Sequence, residues 1–227
     1  MPVYWLDEKE LSFPPLDFAY PDGLLAVGGD LLPARLLIAY RSGIFPWYNP
    51  QEPILWWSPD PRLVLFPKDL KIAKSMKSYI NQPKFKVTYN KCFKEILDGC
   101  ANTSRGYNDG TWIGDDIKDA YFQLYLLGFA HSIEVWKDDK LVGGLYGLAF
   151  GKIFFGESMF TRVSNASKYG FISLVKLLET KEFYLIDCQQ ETAHLSSLGA
   201  TSIPRSDFIR YLDKNYQEHQ FEKLILP

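Results

Sequence analysis

The run FYLIDCQ over residues 183–189 alternates as a strand, which sets Asp187 and Gln189, at i and i+2, on one sheet face and Cys188 on the other. A carboxylate beside an amide, next to the apolar stretch 183–186, can orient an amine. Spacing alone fits equally an Asp and a Gln that cap the following helix. FFGESMF places Glu157 after a glycine and between aromatics. Burial there would raise its pKa unless it were paired, although taken alone the position reads as an exposed strand-end glutamate. Lys68, Lys71, Lys74 and Lys77 recur every third residue. On a helix Lys71, Lys74 and Lys77 share one broad face suited to phosphates; a solvated face is the commoner meaning of such a run. Gly143, Gly144 and Gly147 interrupt a strand, which marks a bulge, a ligand against the backbone, or a closely packed helix. His131, His194 and His219 have no HxH or HxxxH spacing, which speaks against a metal site, and His194 follows LIDCQ at a distance that makes it a candidate for the same cleft. Ser158 has no GxSxG context, and neither GxGxxG nor GxxxxGK[ST] occurs, so a nucleotide triphosphate site is unsupported.

These residues need a scaffold, and the chain is long enough to supply one. Its 227 residues suit one large domain or one with a smaller companion, and 47% hydrophobic content gives a sizeable core. A net charge of −2 provides no global basic field, which argues against a protein that coats nucleic acid but not against a local basic patch. Three cysteines without CxxC spacing argue against a disulfide framework or zinc site and for a reducing compartment. No signal-like segment and no run of about 18 apolar residues occurs, so the expectation is a soluble, cytoplasmic protein.

Residues 1–30 read as turns and extended pieces. Asp30 as N-cap, Pro33 in the first turn and Gly43 as terminator frame a helix. The segment IFPWYNPQEPILWWSPDPR follows, with five prolines and three of the six tryptophans, and reads as neither regular helix nor strand. A domain boundary is expected near 60–67, dividing the chain into 1–63 and 64–227. Beyond it the periodicity predicts helix 70–80, strand 85–89, helix 92–100, a Gly/Asn/Ser loop, a helix ending at Gly128, strands 130–136, 141–150 and 152–160, helix 165–181, strand 183–189, a helix over about 191–198 and a last helix from about Ser206. Three antiparallel strands followed by a strand-helix-strand unit predict a mixed sheet, hence an α+β class with an N-acetyltransferase (GNAT)-like arrangement.

The stretches GLLAVGGDL, PARLLIAYRSGIFPWY, ILWWSPDPR, DGTWI, GFAHSIEVW, LVGGLYG, FFGESMF, NASK, LIDCQ, SLGA and IPR together resemble the bacterial leucyl/phenylalanyl-tRNA–protein transferase family, in order, across residues 23–205. The resemblance implies a small N-terminal domain joined to a GNAT-like catalytic domain. It also implies transfer of Leu or Phe, sometimes Met, from aminoacyl-tRNA to an N-terminal Arg or Lys of acceptor proteins, making an N-degron. No cofactor or metal is implied, because the aminoacyl ester is already activated. Asp187 and Gln189 would form a catalytic relay, Gln189 holding the amine through its carbonyl oxygen and Asp187 orienting Gln189 and favouring proton loss, with positioning the larger contribution. Trp47 and Trp112 would stack on the 3′ adenosine, and Glu157 would contact that nucleotide or the aminoacyl group. Leu145, Phe154, Met159, Leu174 and Ile186 would form the side-chain pocket, with Phe171 on the same helix as Leu174. Lys71, Lys74 and Lys77 would meet the tRNA backbone. The expected protein is a monomer that meets no membrane. Rival readings are an acyl-CoA-dependent N-acetyltransferase, whose phosphate-binding [QR]xxGx[GA] loop the stretch TRVSNASKYG does not supply, a non-catalytic tRNA- or peptide-binding module, and a cell-wall peptide ligase that also uses aminoacyl-tRNA, for whose longer tandem arrangement 227 residues leave little room.

Overall fold

The computed structural model describes residues 3–82, 84–103 and 112–227. The expected Gly/Asn/Ser loop and the motif DGTWI fall largely outside them. The chain is α+β, with a small N-terminal sheet and a larger mixed one. The small sheet comprises β1 (Tyr4–Leu6), β2 (Leu24–Gly28), β3 (Phe45–Pro46) and β4 (Leu55–Trp57), in the order β1-β2-β4-β3. Helix α1 (Pro33–Arg41) leaves this sheet and returns to it. The proline-tryptophan segment therefore does contain strands, though only short ones. Trp56 is fully buried and its Nε1 donates to the Gly28 carbonyl at 2.9 Å, so a side chain anchors a ladder that the prolines keep short.

The larger sheet has the order β11-β5-β10-β9-β8-β7-β6. Its strands are β5 (Arg62–Leu65), β6 (Lys86–Tyr89), β7 (Ala130–Lys137), β8 (Lys140–Phe150), β9 (Ile153–Thr161), β10 (Leu185–Gln189) and β11 (Thr201–Ile203). Helix α5 (Ala166–Thr180) carries the crossover that makes β10 parallel to β9; every other pair is antiparallel. Phe171, Leu174, Val175 and Leu178 recur at helical spacing and bury α5 against Leu145, Ala149 and Phe154, together with Met76 of α2 (Lys74–Asn81). On the other face Tyr146, Leu148 and Phe150 meet α3 (Phe93–Ala101), α4 (Asp115–Leu126), α1 and α7 (Arg205–His219). A short α6 (Ala193–Ser197) follows β10. Among the described residues no helix is long and apolar enough to cross a membrane.

The strand glycines admit helices. A Cβ at Gly143 would lie 2.8 Å from the Ala166 Cβ of α5, and one at Gly144 would lie 2.3 Å from the Ile96 Cδ1 of α3. The expected N-cap is corrected: Leu32 occupies that position, and Asp30 instead accepts from the Leu32 amide at 2.8 Å and pairs with buried Arg35 at 3.1 Å. Pro33 begins α1, and Gly43 ends it at φ 76°. The helix expected over 70–80 begins only at Lys74, so Lys71 lies in the extended approach to it, its amide bonded to the Leu198 carbonyl at 2.9 Å. Strands β5 and β11 lie where the sequence reads as boundary and loop; the expected division at 63/64 falls within β5, a strand buried throughout.

Candidate active site

Two bulges on adjacent strands build the site. Parallel pairing of β9 with β10 runs from Leu185↔Ile153 to Asp187↔Phe155 and then stops. On the far side of β9, Gly147 opposes Gly156 and Tyr146 opposes Ser158, so Glu157 is the extra residue of a bulge. On the far side of β10, Asp187 opposes Val64 and Gln189 opposes Leu63, which makes Cys188 the extra residue of a second. Each bulge re-aims the side chain beside it just where the two parallel strands part. A cleft of about 470 Å³ opens there. Phe45, Trp47 and Trp112 are among its aromatic lining; Leu145, Met159, Phe171, Ile186 and Leu195 give apolar wall; Glu157, Gln189, Thr192 and His194 are among its polar lining.

Asp187 does not reach this cleft. It is 0% exposed and held by Arg62, itself 1% exposed, whose Nε and Nη2 donate to the two carboxylate oxygens at 2.8 and 2.6 Å. The Gln189 amide donates to Asp187 Oδ1 at 3.0 Å, which fixes Gln189 at φ 63° and carries its side chain to the rim. Arg62 also donates to the Gly43 carbonyl at 3.2 Å and lies between the rings of Phe45 and Phe208, 4.7 and 4.8 Å from their centroids. A buried bidentate pair of this kind leaves Asp187 as an anchor and counter-ion rather than a group facing substrate.

Glu157 lines the cleft in a different setting. Tyr40 donates to Oε1 at 2.7 Å, Tyr121 to Oε2 at 2.8 Å, and Gln189 Nε2 to Oε1 at 3.2 Å. The phenols of Tyr40 and Tyr121 also hydrogen-bond to each other. Burial pushes the Glu157 carboxyl up to about 7, partly opposed by the two phenols; Asp187 raises it further and Arg62 lowers it. An ionised Glu157 can only accept, so the Gln189 amide must turn its NH2 toward Glu157 and its Oε1 toward the open cleft.

The remaining predicted residues separate. Leu145, Met159 and Ile186 line the apolar wall; Phe154 and Leu174 are fully buried behind it, Phe154 packed on Gly147 and Leu174 turned into the α5 core. Trp47, 41% exposed, leans on Trp57 with centroids 5.7 Å apart, and Trp57 Nε1 donates to the Trp47 carbonyl at 2.6 Å. Lys71, Lys74 and Lys77 are all exposed, and Lys71 lies beside the Leu198 end of α6. Burial and then Lys168 lower the pKa of His194. Among the described residues no group of three or more His, Cys, Asp or Glu side chains converges as a metal site.

Sequence reasoning missed Arg62, Tyr40 and Tyr121. Arg62 did leave a signal: it is the only charge entering the apolar run RLVLFP, as Asp187 is in FYLIDCQ, and two lone opposite charges on two buried strands call for each other. The tyrosines left none, since an aromatic on a helix reads as core.

The family described as "Leucyl/phenylalanyl-tRNA protein transferase" matches residues 64–213, and its N-terminal domain matches 29–60. A leucyl/phenylalanyl-tRNA–protein transferase of Stutzerimonas stutzeri is 55% identical over 210 residues, covering 92% of both chains. One from Christiangramia forsetii is 55% identical over 212 residues, covering 92% of this chain and all of its own. A solved GCN5-related N-acetyltransferase-like protein from Streptococcus suis is a weak likeness, at TM-score 0.37 and 11% identity over 71% of this chain and 60% of that one. Matched in both parts and at more than half identity over nine-tenths of its length, the chain belongs to the leucyl/phenylalanyl-tRNA–protein transferase family.

Proposed function

We propose that the chain moves Leu or Phe, and also Met, from aminoacyl-tRNA to the α-amine of an N-terminal Arg or Lys of acceptor proteins, acting as a cytoplasmic monomer and creating an N-degron. The observation that carries this reading is the cleft itself: aromatic side chains, an apolar wall and the Gln189 amide line one opening of about 470 Å³. Trp47 and Trp112 take the 3′ adenosine between them, and Glu157 touches the nucleotide or the aminoacyl group. Leu145, Met159 and Ile186 receive the aminoacyl side chain, with Phe154 and Leu174 supporting the wall from behind. One methylene in such a pocket is worth about 1–3 kcal/mol, which suits shared use of Leu, Phe and Met.

The ester is activated before it arrives, so the enzyme's task is to aim an amine. Gln189 Oε1 accepts from that amine, and Asp187 holds Gln189 by its backbone. Lys71, Lys74 and Lys77 meet tRNA phosphates without reading sequence. The division into a small domain of residues 1–63 and a catalytic domain of 64–227 belongs to the same proposal: the first supplies Phe45 and Trp47, the second the strands that part. Incubation with labelled Leu-tRNA and Phe-tRNA and two peptides, one beginning with Arg and one with Ala, tests this. Label on the Arg peptide alone is expected; label on neither, with tRNA still bound, overturns the reading.

A further inference from the structure

We infer that Glu157, held by Tyr40 and Tyr121, is the group that takes the proton from the attacking amine. This rests on the transferase reading above. Asp187 is sealed behind Gln189 and has both oxygens on Arg62, so it offers nothing to a substrate proton. Glu157 lines the cleft, 3.2 Å from the Gln189 amide that turns its oxygen toward the amine. An amine accepted by that oxygen lies within direct or one-water reach of the Glu157 carboxylate. Oε1 already holds Tyr40 and Gln189, whereas Oε2 holds Tyr121 alone among the described residues, which leaves one acceptor position open.

The hydrogen inventory points the same way. Tyr40, Tyr121 and Glu157 make three mutual links, yet two phenols carry only two hydrogens. With Glu157 ionised, both hydrogens go to the carboxylate and the two phenol oxygens meet without one. With Glu157 protonated, each oxygen centre donates to the next and the ring of three closes. The cluster is complete only after it gains a proton. The charged and titratable groups around it are Tyr40 from α1, Tyr121 from α4, Tyr146 from β8, Arg62 from β5 and Asp187 from β10.

In the step, the ammonium passes one proton to Glu157 and its nitrogen lone pair forms the bond to the ester carbon. The carbon–oxygen ester bond breaks with its electron pair going to the ribose oxygen, which takes a second proton from the nitrogen. Glu157 then returns its proton to water. Glu157 is thus a catalytic residue, and Tyr40 and Tyr121 are positioning residues.

Single-turnover transfer from Phe-tRNA to an Arg-initiated peptide, followed from pH 6 to 9, tests the inference. Glu157→Gln should slow transfer about 100-fold or more at pH 7. Most of that deficit should vanish at pH 9, where an amine of pKa about 7.7–8.0 is already neutral. Tyr121→Phe removes one hydrogen bond to the carboxylate and should move the midpoint of the wild-type profile up by about one pH unit. A deficit in Glu157→Gln that is equal at pH 7 and 9, or a midpoint unmoved in Tyr121→Phe, overturns the inference while leaving the transferase reading intact. A wild-type chain that transfers no label at any pH overturns both.

Discussion

Asp187 and Glu157 stand on neighbouring strands, Asp187 at the last position where β10 pairs with β9 and Glu157 two residues beyond the last position where β9 pairs with β10. Both are partly or wholly buried, but their partners differ in kind. Asp187 meets a guanidinium in two parallel bonds. Glu157 meets two phenols and an amide, with no cation bonded to it among the described residues. A third carboxylate extends the contrast: Glu134, 0% exposed, accepts from the Thr88 and Ser132 hydroxyls at 2.5 Å each and from the Lys91 amide at 3.2 Å, at the entry to α3 and away from the cleft. Full ion pairing makes an acid structural, and so does complete enclosure by neutral donors. Only the acid with neutral donors and an open side is equipped to change protonation during a reaction.

Breaking the ion pair should have the largest effect. Arg62→Met leaves Asp187 buried without a counter-charge and should lower unfolding free energy by about 3–5 kcal/mol in urea titrations. Arg62→Met with Asp187→Leu should recover most of that stability and none of the transfer activity, which separates the pair's structural part from its role in holding Gln189.

The Glu157 side of the comparison shows in the pH dependence of stability. Its carboxyl lies near 4.5 when unfolded and about 7 when folded, so between those values the folded state binds more protons. Stability of the wild type relative to Glu157→Gln should therefore fall as pH rises from 4.5 to 7, by up to about 3 kcal/mol, and change little outside that window. Chemical denaturation at several pH values checks this.

Smaller effects follow away from the carboxylates. Gly144→Ala pushes a methyl group into Ile96 and the Ile133 carbonyl and should cost about 1–3 kcal/mol. Replacing Lys71, Lys74 or Lys77 by Ala should raise the KM for aminoacyl-tRNA, leave kcat intact, and reduce the salt slope of tRNA binding by about 1 per lysine.

The scaffold was legible where local pattern decides structure. β7, β8, β9 and α5 each carry their own periodicity, and all four stand within two residues of where that periodicity predicts them. β5 was not legible: four residues fenced by Pro61 and Pro67 become a strand because β10 and β11 pair with them from either side. The bulges at Glu157 and Cys188 were likewise hidden, since strict alternation cannot announce its own interruption. That matters for the pocket. The Glu157 bulge puts Met159 and Phe154 on one sheet face, against the odd-even rule, yet Phe154 packs beneath the wall and Met159 lines it. The tyrosine cluster joins side chains 81 residues apart, a contact no spacing rule contains. Family resemblance supplied Trp47, Trp112 and the pocket set; the residues alone supplied the Asp187–Gln189 pair and the lysine run.

The contrast between the two acids is tested most directly by watching Glu157 titrate. Carbon-13 NMR of side-chain carboxyls, with Glu157→Gln for assignment, should show one glutamate signal that moves with a midpoint near 7 and vanishes in the variant. A spectrum in which no glutamate carboxyl titrates above about pH 5.5 would contradict the account, because a carboxyl at its ordinary value near 4.3 is a poor partner for an amine at neutral pH.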